Sequence, residues 1–193
     1  MALFKEILKK TKPLGMLFGS ALRYQEEGPK VKGHLTIHLY EGGKEIYSYE
    51  KHNIIVNSAS ILIAQLLKDN TEPDNGISYL GVGSGSGGWD PFDPPAPTTS
   101  QTQLENEFSR KSIDLKSFVD PDTGEPTTTP TNIVDYSVTF GEAEAVGPIM
   151  ELALFGGDAT SSLNSGTMVN WRTFPVINKT NSMIMTIIFR ITS

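Results

Sequence analysis

From His34 onward the chain alternates between apolar and polar positions. In HLTIHLY, Leu35, Ile37 and Leu39 are separated by Thr36 and His38, the two-residue period of a strand with one buried face. Gly42 and Gly43 follow, a pair that accepts the positive φ of a tight hairpin, so EIYSYE is expected as the returning strand. The alternation recurs in NIVDYSVTF, where Val134, Tyr136, Val138 and Phe140 share one face and Ile133, Asp135, Ser137 and Thr139 the other. In the closing SMIMTIIFRITS, Met183, Met185, Ile187, Phe189 and Ile191 form an unbroken apolar row, which predicts a strand buried centrally in its sheet. ISYLGV, SIDLKSF, PIMELALFGG and MVNWRTFPVINKT read as further strands.

The period changes in NIIVNSASILIAQLLKDN. Asn57 and Ser58 are good helix caps, and the helix they open runs to about Lys68. Ile61, Leu62, Ala64 and Leu66 leave it little polar face, so it is expected to be largely buried. QTQLENEFSRK is compatible with one or two helical turns. Two long loops are marked by their breakers. One spans 83–102, rich in Gly and Ser up to Gly88 and carrying Pro91, Pro94, Pro95 and Pro97; the other spans 119–132, with Pro121, Pro126 and Pro130.

Residues 1–30 differ from the rest. A basic flank beside an apolar patch loosely imitates a secretory signal, but Pro13, Gly15 and Gly19 interrupt it. The preferred reading is an amphipathic arm and linker, with Leu3, Phe4, Ile7 and Leu8 on one helical face and Lys5, Lys9 and Lys10 away from it. Many short strands with one convincing helix predict a mainly β fold over 31–193: an antiparallel β-sandwich or jelly-roll-like domain with one buried helix, preceded by the N-terminal arm.

Composition narrows the function. The 193 residues are 38% hydrophobic, enough for a real core, and the formal net charge is -6. An acidic chain repels nucleic acid, which is not expected as a partner. No run of eighteen or more apolar residues occurs, so neither a transmembrane helix nor a membrane partner is expected. The absence of cysteine removes disulfides, thiolate metal sites and cysteine nucleophiles.

The spacing Gly83-x-Gly85-x-x-Gly88 invites comparison with a dinucleotide cradle. That cradle needs a helix opening at its last glycine, whereas the chain runs into Trp89 and four prolines, so no nucleotide cofactor is expected. His34 and His38 lie on one strand face about 13 Å apart, too far to share a metal ion. His52 sits beside Lys51, and no triad is assigned to it from the sequence. DPDTGE at 120–125 lacks the ligands of a calcium loop and reads as a turn. Asp90 and Asp93 are left as a weak cation candidate. Glu105, Glu107 and Arg110 form the densest charge group, read from spacing as a helical turn. No catalytic residue, cofactor or metal site is assigned, and the protein is expected not to be an enzyme.

Several segments in order resemble a family of tailed-bacteriophage virion proteins, small standalone structural proteins and domains of tail-fibre or tail-collar proteins. They are NIIVNSASILIAQLL with ISYLGVGSGS, TTSQTQLENEFSRK, and IMELALFGG with VNWRTFPVINKT and the closing strand. The matching residues are Gly83 and Gly85; Leu104, Glu107 and Arg110; Glu151, Leu154 and Phe155; and Trp171, Arg172, Phe174 and Pro175. Trp171-Arg172 departs from the usual Asn-Arg order, with Asn170 one position earlier. The resemblance implies a structural role for these residues, Arg110 tying a loop to the sheet by bonding Glu151 or backbone carbonyls.

It further implies a virion component assembled in the host cytoplasm; the compact chain, with no fibrous repeat and a candidate docking arm, favours a capsid decoration protein binding the particle through its arm and loops, with Leu3, Phe4, Ile7, Leu8, Trp89 and Phe92 as interface candidates. Expected partners are further copies of itself, as in a trimer, and the major capsid protein or tail components. A tail, neck or baseplate protein is the alternative. A carbohydrate-binding module for host attachment, stacking Trp89, Trp171 and exposed tyrosines on sugar rings, is the second.

Overall fold

Alternation is realised as strands almost wherever it occurs. The computed structural model describes residues 31–68 and 76–193, and the candidate arm residues Leu3, Phe4, Ile7 and Leu8 lie outside them. The described strands are β1 (Lys32–Glu41), β2 (Lys44–Ile55), β3 (Ile77–Gly83), β4 (Glu107–Ser112), β5 (Leu115–Val119), β6 (Pro126–Thr127), β7 (Ile133–Phe140), β8 (Gly147–Gly156), β9 (Thr167–Met168), β10 (Asn170–Lys179) and β11 (Met183–Thr192). Among the described residues one helix, α1 (Ala59–Lys68), accompanies them. Together the strands make one antiparallel sheet in the order β4-β3-β8-β10-β2-β1-β11-β7-β5-β6, with β9 beside β8.

The sheet is hinged at β10. Asn170 and Trp171 pair with Ile55 and Ile54 of β2, whereas from Arg172 onward β10 pairs with β8. Two half-sheets, joined by that two-residue link, therefore present apolar faces to a common core in a sandwich-like arrangement. One half contributes Leu35, Ile37, Val138, Met185, Ile187 and Phe189; the other contributes Leu80, Val82, Leu152, Leu154 and Phe174. The closing strand β11 lies between β1 and β7, and the buried members of its apolar row, Met185, Ile187 and Phe189, are wholly inaccessible. Burying that row from water is a major stabilising contribution, at about 1.5–3 kcal/mol for a fully buried large apolar side chain.

Two expectations need correction. The LENEFSRK segment is not helical: Glu107–Ser112 is strand β4, paired to β3. Tertiary pairing overrides the helical spacing of its charges, because β3 would otherwise expose an unpaired backbone edge. The helix, in turn, buries only part of its surface. Ala59 and Leu62 are buried, but Ile61 is 58% exposed, and Ile63 and Leu66 are exposed as well. An all-round apolar sequence is buried only where neighbours reach all sides, and a ten-residue helix against the end of the sandwich meets them on one stripe.

Strand β8 is buried on both faces from Ile149 to Gly156. Its Leu152 and Leu154 enter the main core, while Ala153 and Phe155 face a second cluster with Val56, Leu104, Met168 and Trp171, flanked by Trp89 and Tyr79. That second cluster exists because the loops following β3 and β8 fold back over the outer face. What holds them there is the polar constellation singled out by the sequence.

Candidate functional site

Glu151 projects from β8 towards the returning loop and is fully buried. Four donors converge on its carboxylate. Oε1 accepts from the backbone N–H of Gly85 at 3.2 Å and of Asn106 at 3.0 Å; Oε2 accepts from the N–H of Glu105 at 3.1 Å and from Trp171 Nε1 at 3.1 Å. Both ends of loop 84–106 and strand β10 are thereby tied to one side chain. Burial pushes this carboxyl above its ordinary range, and the four donors pull in the opposite direction without cancelling the effect.

A second carboxylate sits alongside. Strand β4 carries a bulge: Val82 pairs with Ser109 and Gly83 with Glu107, so Phe108 is the extra residue. The bulge changes the side-chain parity, and Glu107 and Arg110, three apart, reach the same side. Their ion pair is bidentate, with Arg110 Nε donating to Glu107 Oε1 at 2.7 Å and Nη2 to Oε2 at 3.0 Å, both side chains inaccessible to solvent. The guanidinium lies 4.1 Å from the centre of the Phe155 ring. Its remaining nitrogen, Nη1, donates to the carbonyls of Thr160 and Ser165, while Glu107 Oε2 accepts the N–H of Asn164. The pair thus fastens loop 157–166. Arg110 bonds backbone carbonyls and Glu107; the alternative partner Glu151 is occupied by loop 84–106.

The glycines explain how two carboxylates fit against a strand. A Cβ on Gly81 would collide with Glu107 Oε1 and the Phe155 ring, and one on Gly83 would lie 2.5 Å from Glu151 Oε1. Gly85, at φ +68°, both turns the chain and leaves room for the Trp89 ring. Gly83 and Gly85 are therefore packing positions. Gly81, which sequence reasoning missed, belongs with them; its signal was the Gly-x-Gly-x-Gly run at alternate positions of one strand face.

The remaining motif residues also serve packing. Leu104 and Phe155 are buried in the second cluster, and Phe174 in the main core with Tyr49 at a ring separation of 5.5 Å. Arg172 links β10 to β2 by donating to the Tyr49 hydroxyl and the His52 carbonyl. Pro175 is exposed at an irregularity of β10, where Val176 N–H and Thr173 Oγ1 donate to the carbonyls of Pro91 and Pro95. Trp171 is 3% exposed and Trp89 packs on it with ring centres 6.3 Å apart, so these two indoles do not form a free platform for a sugar.

Phe92 is different. Its N–H donates to Asp90 Oδ1 in a tight turn, the chain on its C-terminal side is anchored at Pro95, and its ring is 81% exposed. An apolar ring held outward on an anchored loop is a ready contact point.

Comparison with protein-family models and with curated proteins finds no match to this chain. The geometry alone therefore defines the site: a sheet face roofed by two clamped loops, from which Phe92 projects.

Proposed function

We propose that the protein is a structural component of a tailed-phage virion, a decoration protein that attaches to the capsid surface through loop 84–106. The observation that carries the proposal is the presentation of Phe92: a large apolar ring, four-fifths exposed, on a loop whose backbone is fixed at Gly85, Pro91, Pro95 and Asn106. Fixing the loop beforehand lowers the ordering cost of docking, and an exposed aromatic centre is the kind of residue that dominates interface energetics. The resemblance of the motif residues to phage virion proteins supplies the class of partner. The buried polar groups Glu151, Glu107 and Arg110 support a structural reading, because their bonding capacity is taken up within the fold.

Particles assembled with and without the protein are the test. Image reconstruction should show additional density repeated over the capsid lattice only when the protein is present, and Phe92→Ser should abolish its co-sedimentation with undecorated particles. Density restricted to the tail, or none, overturns the proposal.

A further inference from the structure

The outer face of the β1–β2 hairpin brings together two histidines that are eighteen positions apart in the sequence. His34 and His52 are direct cross-strand partners, and their rings meet edge to face with centres 5.3 Å apart at 74°. Two imidazoles bound to one tetrahedral ion at about 2.0–2.1 Å place their ring centres roughly 5 Å apart. The hairpin backbone therefore already sets the separation such an ion requires. Glu50 stands at the next outward position of β2, opposite Thr36, with Oε1 3.5 Å from His34 Nε2. Two ligand atoms on the edge of the same tetrahedron are roughly 3.3 Å apart.

We propose that His34, His52 and Glu50 form a surface site for a divalent transition metal of the zinc class, with the fourth position open to water or to a group from a partner. Two imidazoles with one carboxylate suit zinc or nickel better than the oxygen-seeking calcium and magnesium. Among the described residues no three such side chains are already arranged to hold an ion, so binding requires the exposed His52 ring to turn its free nitrogen towards His34 Nε2. Arg190, which pairs with His34 from the other side, is held by Asp135 through bonds of 2.8 and 2.9 Å, and this ion pair keeps its charge directed away from the site. His38 is the internal control: it belongs to the same strand face, but its acid partner is Glu45, at 3.0 Å, and no second imidazole faces it.

Titration calorimetry of the full chain with zinc chloride tests the site. One ion should bind per chain, and His34→Ala and His52→Ala should each weaken binding by at least the roughly tenfold that removal of even an outer-shell partner costs. Glu50→Gln should weaken it less, and His38→Ala should leave it unchanged. Melting curves of the same variants check that each is folded, and the wild-type melting temperature should rise with zinc while that of His52→Ala does not. Absence of saturable zinc uptake, or equal loss in His38→Ala and His34→Ala, overturns the assignment.

Discussion

Trp171 Nε1 donates to Glu151 Oε2 at 3.1 Å across adjacent strands, and this bond joins the hinge of the sheet to the clamp over its outer face. Trp171 lies in the two-residue stretch of β10 that pairs with β2, while Glu151 lies on β8 and gathers both ends of loop 84–106. One carboxylate consequently couples the half-sheet junction to the loop that carries Phe92.

Glu151→Gln separates charge and acceptor number from shape. An amide has one acceptor oxygen, so one pair of donors, Gly85 with Asn106 or Glu105 with Trp171, is left facing an NH2 group. Each orphaned buried donor costs about 1–3 kcal/mol. The melting temperature should fall by roughly 2–4 °C per kcal/mol for a chain of this size. A variant that melts with the wild type would show that water or rearrangement satisfies those donors.

The pH dependence of that difference has a definite sign. Burial raises the folded-state pKa of Glu151 above 4.5, so the folded chain takes up this proton before the unfolded chain does. The stabilising contribution is full below the unfolded value and is lost as pH rises through the raised folded value. The margin of the wild type over Glu151→Gln should therefore widen as pH falls from neutrality towards 4.5, read from urea unfolding at several pH values. A margin that narrows instead would mean that the four donors outweigh burial.

Arg110→Lys keeps a positive charge but removes the fork that grips Glu107 and reaches two carbonyls. Breaking a buried pair by removal of one partner costs about 3–5 kcal/mol, which sets the expectation for Arg110→Ala; Arg110→Lys should recover only part of it. Both variants should release loop 157–166, seen as faster amide exchange at Asn164, whose N–H Glu107 accepts. Unchanged exchange there would separate the ion pair from the loop.

How far the sequence carried this fold depends on bulges. Strands whose alternation is uninterrupted, as in β7 and β11, are legible from the residues alone, and so are the hairpin turn at Gly42-Gly43 and the long loops. The hairpin register is not. Glu41 pairs with Lys44 across the turn, which in an unbroken ladder would set His34 opposite Lys51; the irregularity at Ile46 advances β2 by one residue and brings His52 there instead. The same physics hid the clamp. Glu107 and Arg110 share a face through the bulge at Phe108 rather than through a helical turn, so the grouping was legible while its geometry was not. Donors supplied by backbone N–H groups, as at Glu151, leave no side-chain pattern to read.

Glycine positions in the same loop should divide sharply. Gly83→Ala places a methyl 2.5 Å from Glu151 Oε1 and 2.9 Å from the Asn106 carbonyl, and overpacking of that kind costs about 1–3 kcal/mol. Gly87 and Gly88 have open space around an added Cβ and no positive φ, so alanine there should shift stability by less than about 0.5 kcal/mol. Chemical denaturation of the three variants checks this, and a neutral Gly83→Ala would mean that the carboxylate clamp yields easily.

Helix α1 tests whether its apolar outer side contributes to the fold or faces outward as drawn by its burial. Leu62 is buried against the core and lies beside Gly156, where an added Cβ would strike its Cδ2. Leu62→Ala should cost about 2–5 kcal/mol, the range for a leucine truncated in a core. Ile61→Lys, on the side of the helix turned away from Ala59 and Leu62, should change stability by less than about 0.5 kcal/mol. A large loss in Ile61→Lys would instead place that side chain in a contact that stabilises the folded chain, and its dependence on protein concentration would tell an intermolecular contact from an internal one.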